Sequence, residues 1–426
     1  MTEHRVAEFA FIVLASLLWA SLTDSVAAQS GNDLGGITGE QIKAALGLAG
    51  ANDDESNTAF KLGAAFELGT PLGKAELNGV RLAIAQIAAA GGPQIALTVE
   101  DSGTPRSWNG VIAEQALHAV GTAMVLVDGA AAGGTMIAGL ARDQILAFDG
   151  DRGVPGRAKG QDYLWGTRAD VPDADFAVGL QYLVTAMPKV HRVALVYSQA
   201  VGEAATDLTN SFGQALTDDG LVLATAMAVP EADISEAQIV AALKPLRPDA
   251  IFLADVDPAA VLGAVKDSGL SVPVIGTVEP GPAPTGQPAS VAQYAVATDS
   301  FDPAHASNDW AKLFVASYLA RFGTDPDTAA ANAYEDTFAV WTMIRRVLAR
   351  GGDITSGARL QQELVANHAF KSLYGGDGKD LDELVLDPKS HAVLARPFTV
   401  YRLDGDTRKV LATSDMGGAN LVLGSQ

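Results

Sequence analysis

The sequence predicts an α/β protein built from two parallel-sheet units, with the chain passing between them more than once. Three observations carry this. Apolar segments of strand length alternate with longer segments of helical period; the alternation stops and then restarts; and long helices with a final strand pair are left over after the second run.

The first run begins at Ala59. Its segments are Ala59–Phe66, Ala75–Ala90, Ile95–Val99, Val111–Val120, Ala123–Val127, Thr135–Arg142 and Gln144–Phe148. Leu77, Val80, Ile84 and Ile87 recur at helical spacing, whereas Ile95 to Val99 is rich in β-formers, so strand, helix and strand repeat as a covered parallel sheet requires. The second run starts with a strand at Tyr163–Gly166, a helix over Asp175–Met187, a strand at Val193–Tyr197 and a helix over Glu203–Asp219. Leu221–Val229, Glu236–Leu246, Ala250–Leu253, Asp257–Ser268 and Val272–Gly276 continue it. Thr277–Ser290 holds four prolines and reads as a loop. Two helical patterns follow, Asp309–Phe322 and Ala329–Arg350, the second with an apolar stripe of Phe338, Trp341, Ile344 and Leu348. Strands Pro397–Leu403 and Lys409–Thr413 close the chain. Repeated crossing makes a hinge rather than a loose linker.

Before these runs, residues 1–28 read as a signal peptide: Arg5 in a short polar start, an apolar run from Phe9 to Ala20, and Val26-Ala27-Ala28 for cleavage after Ala28. The apolar run is short for a membrane span, although an uncleaved anchor is the other reading. Residues 29–57 form a polar extension around one amphipathic piece, Gly39–Leu48, expected to lie on the surface. About 400 residues remain once the leader alone is removed, enough for sizeable cores without disulfides, and the chain has no cysteine to form any. That absence also excludes a lipid-modified cysteine. An exported, free protein of a bacterial periplasm is expected.

The net charge of −21 argues against a nucleic-acid partner. Thiol catalysis and thiolate metal sites are excluded, the six histidines are scattered without metal-ligand spacing, and no nucleophile elbow occurs. Gly69-Thr-Pro-Leu-Gly-Lys74 is one residue short of a phosphate loop and reads as a turn. No enzyme, cofactor or metal is expected.

Several pieces, in order, resemble a known family. They are Lys61 to Gly73 with Asn78-Gly-Val-Arg-Leu-Ala-Ile and Ala89-Ala-Gly-Gly-Pro; Val99-Glu-Asp-Ser-Gly; Gly166-Thr-Arg-Ala-Asp; Val193-Ala-Leu-Val-Tyr; Leu246-Arg-Pro-Asp-Ala-Ile-Phe-Leu; and Asn332-Ala-Tyr-Glu-Asp-Thr. From about Phe60 to Thr413 the chain resembles the type I periplasmic solute-binding proteins of the branched-chain amino acid (Leu/Ile/Val) class, which feed ABC importers. The resemblance implies two Rossmann-like lobes joined by three crossings, with a small polar solute (an amino acid, an amide or a related small carboxylate) held in the cleft as the lobes close. It implies delivery to permease subunits in the inner membrane by a monomer. A sensory protein of the same fold would look the same in sequence. Lobe 1 is expected at 58–170 and 299–369, and lobe 2 at 171–298 and 370–426.

Candidate ligand contacts follow from strand ends and from the resemblance together. Gly133 and Thr135 lie where the segment from Asp128 opens a helix, near a position at which the family holds a carboxylate with a hydroxyl. Phe148 and Asp149 end a strand before Gly150, Asp151 and Arg152, a segment equally suited to a turn. On the opposing lobe stand Val201, Asp255 and Glu279, the last near the family's carboxylate for an ammonium group. Tyr334, close to the family's cleft tyrosine, is read either as a cleft contact or as a packed aromatic at a helix start. Trp165 either walls the cleft or packs in the core, and Asp257 before Pro258 is a plain helix N-cap. The family's hydroxyl pair and its aromatics near Leu72 and Val201 are replaced here, which leaves the ligand open.

Overall fold

A computed structural model describes residues 23–24, 34, 36–48, 59–103, 109–150, 158, 160–168, 173–199, 202, 205–230, 235–254, 256–278, 294–306, 308–375, 383–404, 407–415 and 418–424. The first alternation forms β1 (Phe60–Phe66), α2 (Pro71–Ala89), β2 (Ile95–Asp101), α3 (Asn109–Ala119), β3 (Met124–Val127), α4 (Gly129–Asp143), β4 (Leu146–Asp149) and β5 (Leu164–Gly166), preceded by α1 (Gly39–Ala45). The five strands are parallel in the order β2-β1-β3-β4-β5, and Thr23–Asp24, inside the expected leader, pair antiparallel with the outer edge of β2.

The second alternation gives α5 (Asp173–Ala186), β6 (Arg192–Ser198), α6 (Ala205–Asp218), β7 (Val222–Val229), α7 (Glu236–Leu243), β8 (Ala250–Ala254), α8 (Pro258–Ser268), β9 (Val274–Gly276) and β10 (Tyr294–Thr298). Its sheet runs β7-β6-β8-β9-β10, the same order as the first lobe shifted by five strands. Two antiparallel strands, β14 (Phe398–Asp404) and β15 (Thr407–Ser414), extend it beyond β10.

Between these parts the chain returns to lobe 1 as α9 (Asp309–Phe322), α10 (Thr328–Ala349), α11 (Gly357–Ala366) and a small sheet of β11 (Ala369–Lys371), β12 (Glu383–Leu386) and β13 (Val393–Ala395). The local reasons are legible. Thr70, Asn308, Asp327 and Ser356 each accept a hydrogen bond from a first-turn amide of the helix they cap, and Pro71 sits at a helix start, where a missing N–H costs nothing. The turn-like segment from Gly69 to Lys74 is therefore the start of α2. Gly79 lets α2 lie directly on α10: a Cβ there would overlap the carbonyl oxygen of Ala330.

Two expectations are corrected. The described residues 370–375 and 383–395 pack with lobe 1, because Phe370, Leu384, Leu386 and Val393 are buried in the same core as Phe148, Trp165 and Trp341. Packing decides this: β11 to β13 make their own sheet rather than joining that of lobe 2. The extension is also not merely surface-lying. A capping box between Thr38 and Gln41 starts α1, and Ile42 is buried in the lobe 1 core. The lobe 2 core centres on Phe176, Phe212 and Phe252, whose rings meet edge-on at 4.9 to 5.3 Å.

Candidate functional site: the inter-lobe cleft and its hinge

In an open parallel sheet with order 2-1-3-4-5, neighbouring connections leave in opposite directions between strands 1 and 3, opening a crevice at the carboxyl ends of the strands. Lobe 1 has this switch point between β1 and β3, and lobe 2 between β6 and β8. Asp128, directly after β3, is buried there. Its carboxylate accepts hydrogen bonds from the Glu67 amide (3.0 Å) and the Ser102 hydroxyl (3.4 Å), joining the loops after β1, β2 and β3. Although Asp128 is the N-cap residue of α4, its side chain does not cap the helix. The first-turn amides of α4 therefore stand at the crevice without an intrahelical partner, a geometry that suits an anion.

Gly133 and Thr135 lie within α4, beyond that first turn, and the Thr135 side chain lies outside the described residues. Val201, Asp255 and Glu279 also lie outside them. Asp149 is buried at the end of β4, and its carbonyl oxygen accepts the Thr167 amide at 2.9 Å. Two candidates are corrected. Phe148 alternates into the core and meets the Phe370 ring edge-on at 6.5 Å. Tyr334 is wholly buried between α2 and α9: its hydroxyl donates to Gln86 Oε1 and accepts from Trp310 Nε1 at 3.1 Å. Burial pushes its phenol pKa up, and it does not reach the cleft. The core readings hold elsewhere. Trp165 stacks on His391 at 3.9 Å, and Asp257 caps α8 through the Ala259 amide at 3.0 Å. Leu72, 52% exposed, stands in the first turn of α2.

What sequence reasoning missed is the polar cluster where the chain crosses between lobes. The crossings follow β5 at Thr167-Arg168, β10 at Asp299-Ser300 and β13 at Arg396-Pro397. Arg168 grips Asp299 with two nitrogens, Nη2 to Oδ1 at 2.5 Å and Nε to Oδ2 at 3.2 Å. Arg396, 1% exposed, donates to the Thr167 carbonyl (2.7 Å), Asn332 Oδ1 (2.7 Å) and Glu335 Oε1 (3.4 Å), and its guanidinium lies 4.1 Å from the Tyr374 ring centre. One residue from each crossing is thus tied to the next, and α10 supplies Asn332, Glu335 and Asp336 beneath them. Burial raises Glu335 despite the nearby Arg396; burial would lower Arg396, but Glu335, Tyr374 and Asp299 hold it above its usual value. The available signal was an arginine or aspartate beside each strand end at a crossing.

Among the described residues, no group of three or more His, Cys, Asp or Glu could hold a metal ion, and no helix is long and apolar enough to cross a membrane. A family model described as "Periplasmic binding protein" matches residues 67–407. The chain belongs to the periplasmic binding protein family. Solved structures share the fold. They include the branched-chain amino acid transporter substrate-binding protein LivJ from Streptococcus pneumoniae in complex with isoleucine (18% identity, 83% of this chain and 99% of that one, TM-score 0.59). An ABC transporter substrate-binding protein from Desulfitobacterium hafniense in complex with Leu is similar (15%, 83% and 100%, 0.63). So is an R. palustris solute-binding protein of an ABC transporter in complex with benzoate (16%, 86% and 98%, 0.60). No curated protein matches significantly.

Proposed function

We propose that this chain is the solute-capturing component of an ABC importer, closing its two lobes over a small carboxylate-bearing solute and passing it to a permease in the inner membrane. The observation that carries this reading is the pair of sheets with one strand order, switch points at the carboxyl strand ends, and three tied crossings between them. The ligands of the similar structures, isoleucine, leucine and benzoate, all carry a carboxylate, which supports that solute class.

In this reading the first-turn amides of α4 receive the carboxylate, with Gly133 and Thr135 further along the same helix. Asp149 on lobe 1 and Val201, Asp255 and Glu279 on lobe 2 line the remainder, the acidic groups meeting a cationic or hydroxyl group of the solute. The protein works as a periplasmic monomer after removal of residues 1–28, and it is not an enzyme. Binding to the folded state alone raises thermal stability by mass action, about 2.7 kcal/mol at a hundredfold excess over Kd. The test is a thermal shift against amino acids, amides and aromatic and aliphatic carboxylates. A shift with one of these supports the reading, and no shift with any at millimolar concentration overturns it. N-terminal sequencing of the exported protein checks cleavage after Ala28.

A further inference from the structure

We propose that a single proton shared between Asp336 and Thr167 controls how firmly the first lobe crossing is held, so that the lobe arrangement responds to pH in the neutral range. The inference rests on the reading of the crossings as a working hinge.

The geometry poses a counting problem. Thr167 Oγ1 lies 2.9 Å from Asp336 Oδ2 and 3.2 Å from the Asp149 carbonyl oxygen. A hydroxyl has one hydrogen, and both of these neighbours are acceptors when Asp336 is ionised. With a proton on Asp336 both contacts are made: Asp336 donates to Thr167, and Thr167 donates to the Asp149 carbonyl. Without it, the hydroxyl serves one neighbour and abandons the other.

The surroundings favour the proton. Asp336 is buried, and Thr167 is its hydrogen-bonding side chain among the described residues. Facing it are Glu335 on its own helix, Asp149 at the end of β4 and Arg396 at the third crossing; Asp299 at the second crossing and Tyr374 in the segment after β11 neighbour Arg396 in turn, and Arg168 at the first crossing pairs with Asp299. Two guanidinium groups thus meet four carboxyls. Arg168 is committed to Asp299, and the terminal nitrogens of Arg396 to Thr167, Asn332 and Glu335. Arg396 Nε has no hydrogen-bond partner among the described residues and lies 3.8 Å from Asp299 Oδ2. Burial first, and then the neighbouring Glu335, push the Asp336 carboxyl up to about 7.

Ionisation therefore places a new buried charge beside Glu335 and Asp149, turns the Thr167 hydroxyl from the end of β4, and pulls on Arg396 at the third crossing. The last two moves act on residues of the crossings, Thr167 at the first and Arg396 at the third. The protonated form holds the arrangement seen here, and the ionised form loosens it.

Because the chain has no cysteine, Lys74→Cys on lobe 1 and Lys266→Cys on lobe 2, both exposed, admit one spin label each. The inter-label distance distribution of the full, solute-free protein is measured from about pH 5.5 to about pH 8.5. A one-proton change with a midpoint near 7, absent in Asp336→Asn and retained in Thr167→Ser, is the expected result. A distribution that does not change with pH, or that changes identically in Asp336→Asn, overturns the proposal. If Asp336→Asn does not fold, carboxyl carbon NMR of the unsubstituted chain decides: no buried aspartate titrating above about pH 6.5 overturns it. Solute titration of the same labelled samples separates this from the functional reading. Closure on a solute with no pH response sinks only the proton switch, whereas a pH response with no solute effect keeps the switch and counts against solute capture.

Discussion

Arg168 and Asp299 form a two-bond ion pair between the first and second lobe crossings, with the carboxylate fully buried. Removing one partner of a buried pair leaves an uncompensated charge and costs about 3–5 kcal/mol. Asp299→Ala strands Arg168 and also removes the carboxylate 3.8 Å from Arg396 Nε, so it is expected to destabilise more than Arg168→Ala, and Arg168→Lys to fall between wild type and Arg168→Ala because a lysine cannot make the fork. Denaturant unfolding of the three variants checks the order. Equal losses for Asp299→Ala and Arg168→Ala would show that Arg396 does not depend on Asp299.

Tyr334→Phe removes a hydroxyl that joins Gln86 and Trp310 in the core. The expected loss is about 1–3 kcal/mol of stability, since two buried polar groups lose a partner. Solute affinity stays unchanged. An affinity loss without a stability loss would return Tyr334 to the cleft.

Gly79→Ala drives a methyl into the Ala330 carbonyl and forces α2 away from α10. Overpacking of this kind costs about 1–3 kcal/mol or more. Gly213→Ala in α6, where nothing lies within 4 Å of the new atom, is expected to be neutral or stabilising by about 1 kcal/mol. Thermal unfolding of the pair tests whether contact rather than helix propensity governs the first site.

The raised Asp336 carboxyl also sets a sign for pH and stability. The unfolded chain releases this proton near pH 4, whereas the folded protein keeps it to about 7. Unfolding thus releases a proton across that window, and this group's contribution falls as pH rises through it, by at most about 1.4 kcal/mol per pH unit, then levels. Asp336→Asn, which stays neutral, gains on wild type between pH 5 and pH 8. Denaturant unfolding at those two pH values reads the difference, and parallel stabilities would contradict the assignment.

Much of the fold was legible in the chain because its signals are local. The strand at Ile95 and the helix stripe of Leu77, Val80, Ile84 and Ile87 were found from periodicity, and Asp257 was readable as a cap because an Asx residue before proline acts on its own neighbours. The strands β12 and β13 were misplaced since nothing local tells a short strand which sheet will cover it. The candidate site was less legible. Tyr334 and Phe148 have the composition of cleft residues, yet which face of a helix or strand points inward depends on what packs against it. The hinge cluster was invisible for the same reason: Thr167, Asp299, Asp336 and Arg396 are far apart in sequence.

The sequence by itself determined two alternating α/β runs, a return of the chain between them, and the classes of chemistry that no cysteine and an acidic surplus exclude, all consequences of periodicity and composition. Only the tertiary structure decided that the three crossings share one buried charge network and that the cleft excludes Tyr334 and Phe148. Burial and the pairing of distant charges are properties of the packed chain, and no segment carries them alone.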